Sequence, residues 1–157
     1  MFPSFPEQSK VWVYQSGREL TDEEVSAVDR TLAQFTQQWT AHQQALKATS
    51  AVLFKRFVVL VVDETMAGAS GCSIDKSVHF MKELGNALQT DFFDRMTFAF
   101  MNGEQVETAA SGSFAQKYQS GELNDETVVF NNLVSNLGEL RSNWQVRLGE
   151  SWHKRFV

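Results

Sequence analysis

Cys72 is the one cysteine of the chain, and it sits where a glycine-containing loop runs into an amphipathic segment. Upstream, Asp63 and Glu64 close an apolar run, FVVLVVDE, and Ser70, Gly71 and Ser73 surround the thiol in TMAGASGCSID. A thiol at a helix start meets unpaired backbone N–H groups and a partial positive charge, both of which favour the thiolate. The same N–H groups favour a bound anion. Two chemistries follow. Ser70, Gly71 and Ser73 could form an anion-binding turn beside the Asp63–Glu64 strand end. Alternatively, Cys72 could act as a nucleophile, with Asp63 or one of His42, His79 and His153 as its base and backbone N–H groups as an oxyanion site. Against both stands a plain connector in which Ser73 caps the helix and Cys72 is a structural thiol.

Longer motifs discriminate further. A phosphate-binding P-loop needs G-x-x-x-x-G-K-[ST]. Lys76-Ser77 supply its last two positions, but Ser70 and Asp75 stand where both glycines belong, and Asp75 would bring negative charge towards a phosphate. Ser73-Ile74-Asp75-Lys76 has S-x-x-K spacing, yet the companion K-T-G and S-D-N elements of that acyl-transfer chemistry are missing. Asp63, Glu64 and Asp75 are oxygen donors of the type that binds divalent cations, but no spacing enforces such a site, and there is no CxxC or HExxH pattern. Neither a metal nor a cofactor is therefore expected. The terminal Trp152-His153-Lys154-Arg155-Phe156 mixes aromatic and basic groups. Trp152 and Phe156, four apart, are expected to pack one turn onto the core rather than to stack on a ligand.

These residues must be held by a scaffold. The chain of 157 residues is 43% hydrophobic and carries a net charge of −5, which suits one globular domain over residues 1–157 and argues against a general nucleic-acid binder. A lone cysteine fits a reducing compartment. The start, MFPSFPEQSK, lacks the basic-then-apolar pattern of a signal peptide. The longest apolar run, Phe57–Val62, is too short to span a bilayer, which takes about 20 residues. A cytoplasmic protein is the expectation.

Val11-Trp12-Val13-Tyr14 reads as a strand. Thr21 and Glu24 form a capping box, and Val25, Val28, Leu32, Phe35 and Trp39 line one face of the helix that follows. Residues 41–50 carry no clear pattern. Ala51–Phe54 and Phe57–Val62 read as a hairpin around Lys55-Arg56, the second strand buried on both faces. Ile74, Val78, Met81, Leu84, Gly85 and Leu88 form the inward stripe of a second helix, with His79 outside it. Met96–Met101 and Gln105–Thr108 flank the turn signal Asn102-Gly103. A short helix over Ser113–Gln119, a strand over Thr127–Phe130 and a helix over Leu133–Trp144 complete the order. The result is an α+β fold with helices packed on a mixed or mainly antiparallel sheet, and its first six elements suit a ferredoxin-like arrangement with a split βαβ start.

Two resemblances add to this reading. VWVYQS, VDETMAGASGCSID, FDRMTFAF, ETVVFNNLV and SWHKRF together resemble a small bacterial family of similar chain length whose members are often labelled ABC transporter ATPase. That family has no established activity, so the resemblance implies kinship and no mechanism. Locally, Phe114, Tyr118, Gly121-Glu122-Leu123 and Asp125–Val129 are similar to the later part of GYF-type adaptor domains. That similarity implies recognition of proline-rich peptides through an aromatic cluster. The expected function is a binding or interaction domain that recognises a small anion or a protein partner. The rival is a Cys72-dependent enzyme.

Overall fold

A computed structural model describes all 157 residues. Phe57–Val62 organises it. These six apolar residues form most of strand β5 (Phe57–Asp63), and all of them are buried. Covering such a strand on both faces removes large apolar side chains from water, each worth about 1.5–3 kcal/mol. β1 (Lys10–Gln15) and β4 (Lys47–Leu53) pair with β5 on either side, both antiparallel, giving the order β1-β5-β4. β1 and β4 are therefore parallel to each other with β5 between them, which is the split βαβ start. Its crossover contains α1 (Asp22–Gln38).

The two faces of β5 bury different partners. Val58, Leu60 and Val62 pack under α1 and α2 (Gly71–Leu88), against Val28, Leu32, Met81 and Leu84. Phe57, Val59 and Val61 pack against Ala99, Phe130, Leu137, Leu140 and Trp144. Ala99 and Phe130 belong to a second antiparallel sheet, ordered β7-β6-β8-β9. Its strands are β6 (Thr97–Asn102), β7 (Gln105–Ala110), β8 (Val128–Phe130) and β9 (Gln145–Arg147). Phe98, Phe100 and Val129 face the other way, onto Phe114 of α3 (Ser111–Gln119) and the C-terminal 3-10 turns. The molecule is thus layered helices, sheet, sheet, helix, an α+β fold with every ladder antiparallel.

The ferredoxin-like continuation stops at the sixth element. In that arrangement the fourth strand would pair with the outer edge of β1. β6 instead has a neighbour on each side, β7 through its tight hairpin and β8 through the pair Phe100↔Val129. Gly103 at φ +64° supplies the turn that commits β6 to β7. The outer edge of β1 is left without a strand.

Four local expectations are corrected. The β4–β5 hairpin turns at Phe54-Lys55, both with positive φ, rather than at Lys55-Arg56, and the Arg56 N–H closes it onto the Leu53 carbonyl at 3.0 Å. Residues 41–50 hold a two-residue turn at His42-Gln43, also left-handed, between β2 (Thr40–Ala41) and β3 (Gln44–Ala45), after which β4 begins. Ser70, not Ser73, caps α2. Finally, the helix expected over Leu133–Trp144 is α4, only Leu137–Asn143. Asn131 breaks its start by accepting the Leu133 N–H and the Trp152 indole N–H, and Asn136 is the true N-cap.

Candidate functional site

Ser70 and Ser73 close a reciprocal cap: Ser73 N–H donates to Ser70 Oγ at 3.1 Å and Ser70 N–H to Ser73 Oγ at 2.7 Å. Gly71 and Cys72 therefore lie inside the first turn of α2. Glu64 reaches back and accepts the Ala69 N–H at 2.8 Å, so the loop already holds a carboxylate of its own. Its other partner is Lys10, 3.8 Å away. Asp63 is buried, accepts the Thr65 N–H at 3.0 Å and lies 3.5 Å from Lys47 on the adjoining strand. The Thr65 N–H above all, with Lys47 adding to it, holds the Asp63 carboxyl below the usual carboxylate range. Glu64 is thus tied to the loop while Asp63 is held by Thr65 and Lys47, and the N–H groups of Ala69, Ser70 and Ser73 are already used within the loop.

Cys72 is exposed, and its sulfur makes no hydrogen bond. None of the histidines is hydrogen-bonded to it. His79 is exposed and pairs with Glu83 at 3.0 Å, His42 sits in the β2–β3 turn, and His153 is buried against Trp152. No group of three or more His, Cys, Asp or Glu side chains is assembled to hold a metal ion.

A concavity of about 300 Å³ lies elsewhere, along the open edge of β1. It is bounded by β1, by residues 92–95 between α2 and β6, by Thr97 and Phe98 of β6, by Phe130 and residues 132–135 before α4, and by Trp152 and His153. Gln15 fastens these segments together. Its Nε2 donates to the Thr97 carbonyl and its Oε1 accepts from Asn132 Nδ2, both at 3.0 Å. Asn132 is fixed in turn by the Trp144 indole N–H at 2.9 Å. Tyr14 meets Phe93 edge-on at 5.5 Å, and burial pushes the Tyr14 hydroxyl pKa up. Leu133, in the lining, is 57% exposed, and Met96, next to the lining residues Arg95 and Thr97, is 50% exposed.

β1 carries a second feature. In an antiparallel strand, the N–H and C=O of alternate residues point to opposite neighbours. Ser16 N–H donates to Arg56 on the β5 side, whereas Val11 N–H donates to Ser135 and Gly17 N–H to Asp91 on the outer side. Odd residues therefore face outward. Between those two closed positions, the N–H and C=O of Val13 and Gln15 and the C=O of Val11 meet no protein partner.

Sequence reasoning marked β1 as a strand but missed the groove. Its lining comes from four separate stretches of chain, and no local spacing joins them. The one available signal was the Asn102-Gly103 hairpin, which diverts β6 from the edge of β1. Residues 111–130 form a helix, a turn and a strand, with Phe114 buried against Phe98 and the Tyr118 hydroxyl bound to Asp125. Comparison with protein-family models, with curated proteins and with solved structures finds no match to this chain. No helix is long and apolar enough to cross a membrane.

Proposed function

We propose that the protein is a binding domain whose target is another protein, and that contact falls on the groove beside β1. The observation that carries this reading is the groove itself: a concavity lined mainly by hydrophobic residues, with Gln15, Asn132 and His153 among them, with exposed Leu133 in the lining and exposed Met96 next to it in the chain. Pre-formed clefts of mainly apolar lining with a few placed polar groups are the usual form of a recognition site. The loop at residues 68–73 supports the anion reading less well, because Glu64 and the two serines occupy the Ala69, Ser70 and Ser73 donors and leave only the Gly71 and Cys72 N–H groups, with the Glu64 carboxylate already bound to the loop. A Cys72-centred reaction lacks a base in contact with the sulfur.

The test compares three immobilised full-length baits: wild type, Leu133→Glu and Cys72→Ala. Proteins retained from a cell extract are identified, and the affinity of each purified candidate is then remeasured directly. The groove reading expects a partner bound equally by wild type and Cys72→Ala and at least tenfold more weakly by Leu133→Glu. A partner indifferent to Leu133→Glu but lost with Cys72→Ala would move the site to the α2 loop.

A further inference from the structure

Resting on that reading of the groove, we infer that the partner enters as an extended segment that adds a strand to the outer edge of β1 and carries a carboxylate side chain opposite Arg95. The groove runs along unpaired N–H and C=O groups of Val13 and Gln15 and the free C=O of Val11, and a row of alternating donors and acceptors at strand spacing is matched by another backbone. A compact organic ligand would satisfy one or two of these groups; a strand satisfies them in register.

The chain itself begins this added ladder and then abandons it. Leu137 N–H donates to the Ser9 carbonyl at 2.9 Å and Val11 N–H to the Ser135 carbonyl at 3.1 Å, around the antiparallel bridge Lys10↔Asn136. Neither the bond from Ser135 N–H to the Val11 carbonyl nor the following one from Val13 N–H to the Leu133 carbonyl forms: Val134 N–H turns back to the Asn131 carbonyl, Leu133 N–H donates to Asn131 Oδ1, and the Leu133 side chain is exposed. At the far end, Gly17 N–H closes onto Asp91. The open window thus spans about four residues of strand, roughly 13 Å at the usual rise. That length accepts a short linear segment rather than a folded sheet.

Of the two ionic side chains in the lining, Asp94 is already engaged by the Thr97 hydroxyl at 2.7 Å and the Met96 N–H at 2.9 Å. Arg95 is exposed and forms no ion pair or hydrogen bond. Lys82, which lies over the Phe93 ring at 5.8 Å, has no ion pair either. In a chain of net charge −5, this spot offers a free cation to an incoming carboxylate.

The test uses a displayed library of random twelve-residue peptides selected on the immobilised full-length protein, followed by synthesis of the recovered sequences. Leu133 and Arg95 are both exposed, so Leu133→Glu and Arg95→Glu are expected to fold, which circular dichroism verifies. Support requires three results. Recovered peptides carry Asp or Glu among apolar residues and bind Leu133→Glu at least tenfold more weakly. Single N-methylation of the peptide weakens binding at least tenfold at alternate positions only. The Val13 and Gln15 amides become protected from hydrogen exchange on binding. Selection on Arg95→Glu should lose the acidic residue. Peptides that need Leu133 but show neither the alternation nor the protection would keep the groove and overturn strand addition. If no peptide depends on Leu133, the inference falls together with the groove. If the protein self-associates and that association alone protects Val13, the occupant is a second copy and the inference is overturned.

Discussion

His153 lies face to face with Trp152, with ring centroids 3.8 Å apart and planes inclined by 19°. Its Nδ1 meets Ser151 Oγ at 2.6 Å, and only 1% of the residue is exposed. Burial, with no carboxylate beside it, pushes its pKa down to about 4. An ordinary histidine titrates near 6.5. Above that pH both the folded and the unfolded chain hold the neutral ring, and stability is insensitive to it. As pH falls below about 6.5, the unfolded chain takes up a proton that the folded one refuses, so stability drops until the folded pKa is reached. The loss is at most about 3 kcal/mol across that window. Denaturant unfolding of wild type and His153→Phe at pH 7.5, 6.0, 5.0 and 4.5 measures it. Wild type should weaken more steeply with acid than the variant. Parallel curves would show that His153 is protonated in the fold.

Alternation along β1 predicts an exchange pattern. Trp12 and Tyr14 donate inward to β5, whereas Val13 and Gln15 point outward to the groove. In the free protein, the Trp12 and Tyr14 amides should exchange slowly, near the global opening rate, and the Val13 and Gln15 amides at least a hundredfold faster. Amide-resolved hydrogen exchange reads this directly. Uniform protection of all four would mean that the outer edge is already covered.

Cys72 should behave as a surface thiol. Its side chain is exposed and bonded to nothing, so Cys72→Ala should change stability by no more than about 0.5 kcal/mol. A water-soluble thiol reagent should modify the folded protein without prior unfolding. If the thiol reacted only in denaturant, the α2 start would be packed more tightly than its geometry indicates.

Much of the frame was legible because it rests on short-range patterns. Thr21 and Glu24 marked the first helix through a pairing three residues apart, and the doubly buried β5 announced itself as a run without polar interruption. What escaped was decided at long range. Asn131, Asn132 and Trp152 interrupt the helical pattern after Leu133 through side-chain bonds across 12 to 21 residues, which no periodicity records. The cap of α2 slipped by three residues because Ser70 and Ser73 are chemically equal candidates, and only the closed pair of bonds distinguishes them. The candidate site split the same way. Asp63, Glu64, Ser70, Gly71, Cys72 and Ser73 do cluster, since they are near in sequence. The groove gathers Tyr14, Arg95, Leu133 and His153, which only the fold brings together.

The start of α2 also depends on Trp39, the residue that closes α1. Its indole N–H donates to the Ser73 carbonyl at 2.8 Å inside the helix-facing core, while its ring meets Trp12 at 5.9 Å and Phe35 at 5.1 Å. Trp39→Phe keeps an aromatic ring but removes the donor and part of the buried area. Thermal unfolding should show a loss of about 1–3 kcal/mol. A neutral result would mean that the indole N–H contributes nothing to anchoring the 70–73 turn.

Two glycines of α2 should respond with opposite signs to the same substitution. A Cβ at Gly85 would stand 2.7 Å from the Thr90 carbonyl oxygen, a backbone atom held by the reversal after Leu88, where Thr90 N–H donates to the Gly85 carbonyl at 3.0 Å. Neither partner can give way without opening the helix end, so Gly85→Ala should destabilise by about 1–3 kcal/mol despite alanine's better helix propensity. At Gly71 a Cβ meets nothing within 4 Å, and the backbone is helical. Gly71→Ala should therefore stabilise by about 0.4–1 kcal/mol, chiefly by narrowing the unfolded ensemble. Paired denaturation curves decide both. Because Gly71 N–H survives the change, a drop in stability at Gly71 would point to a conformation of the Ser70–Ser73 turn that only glycine can adopt.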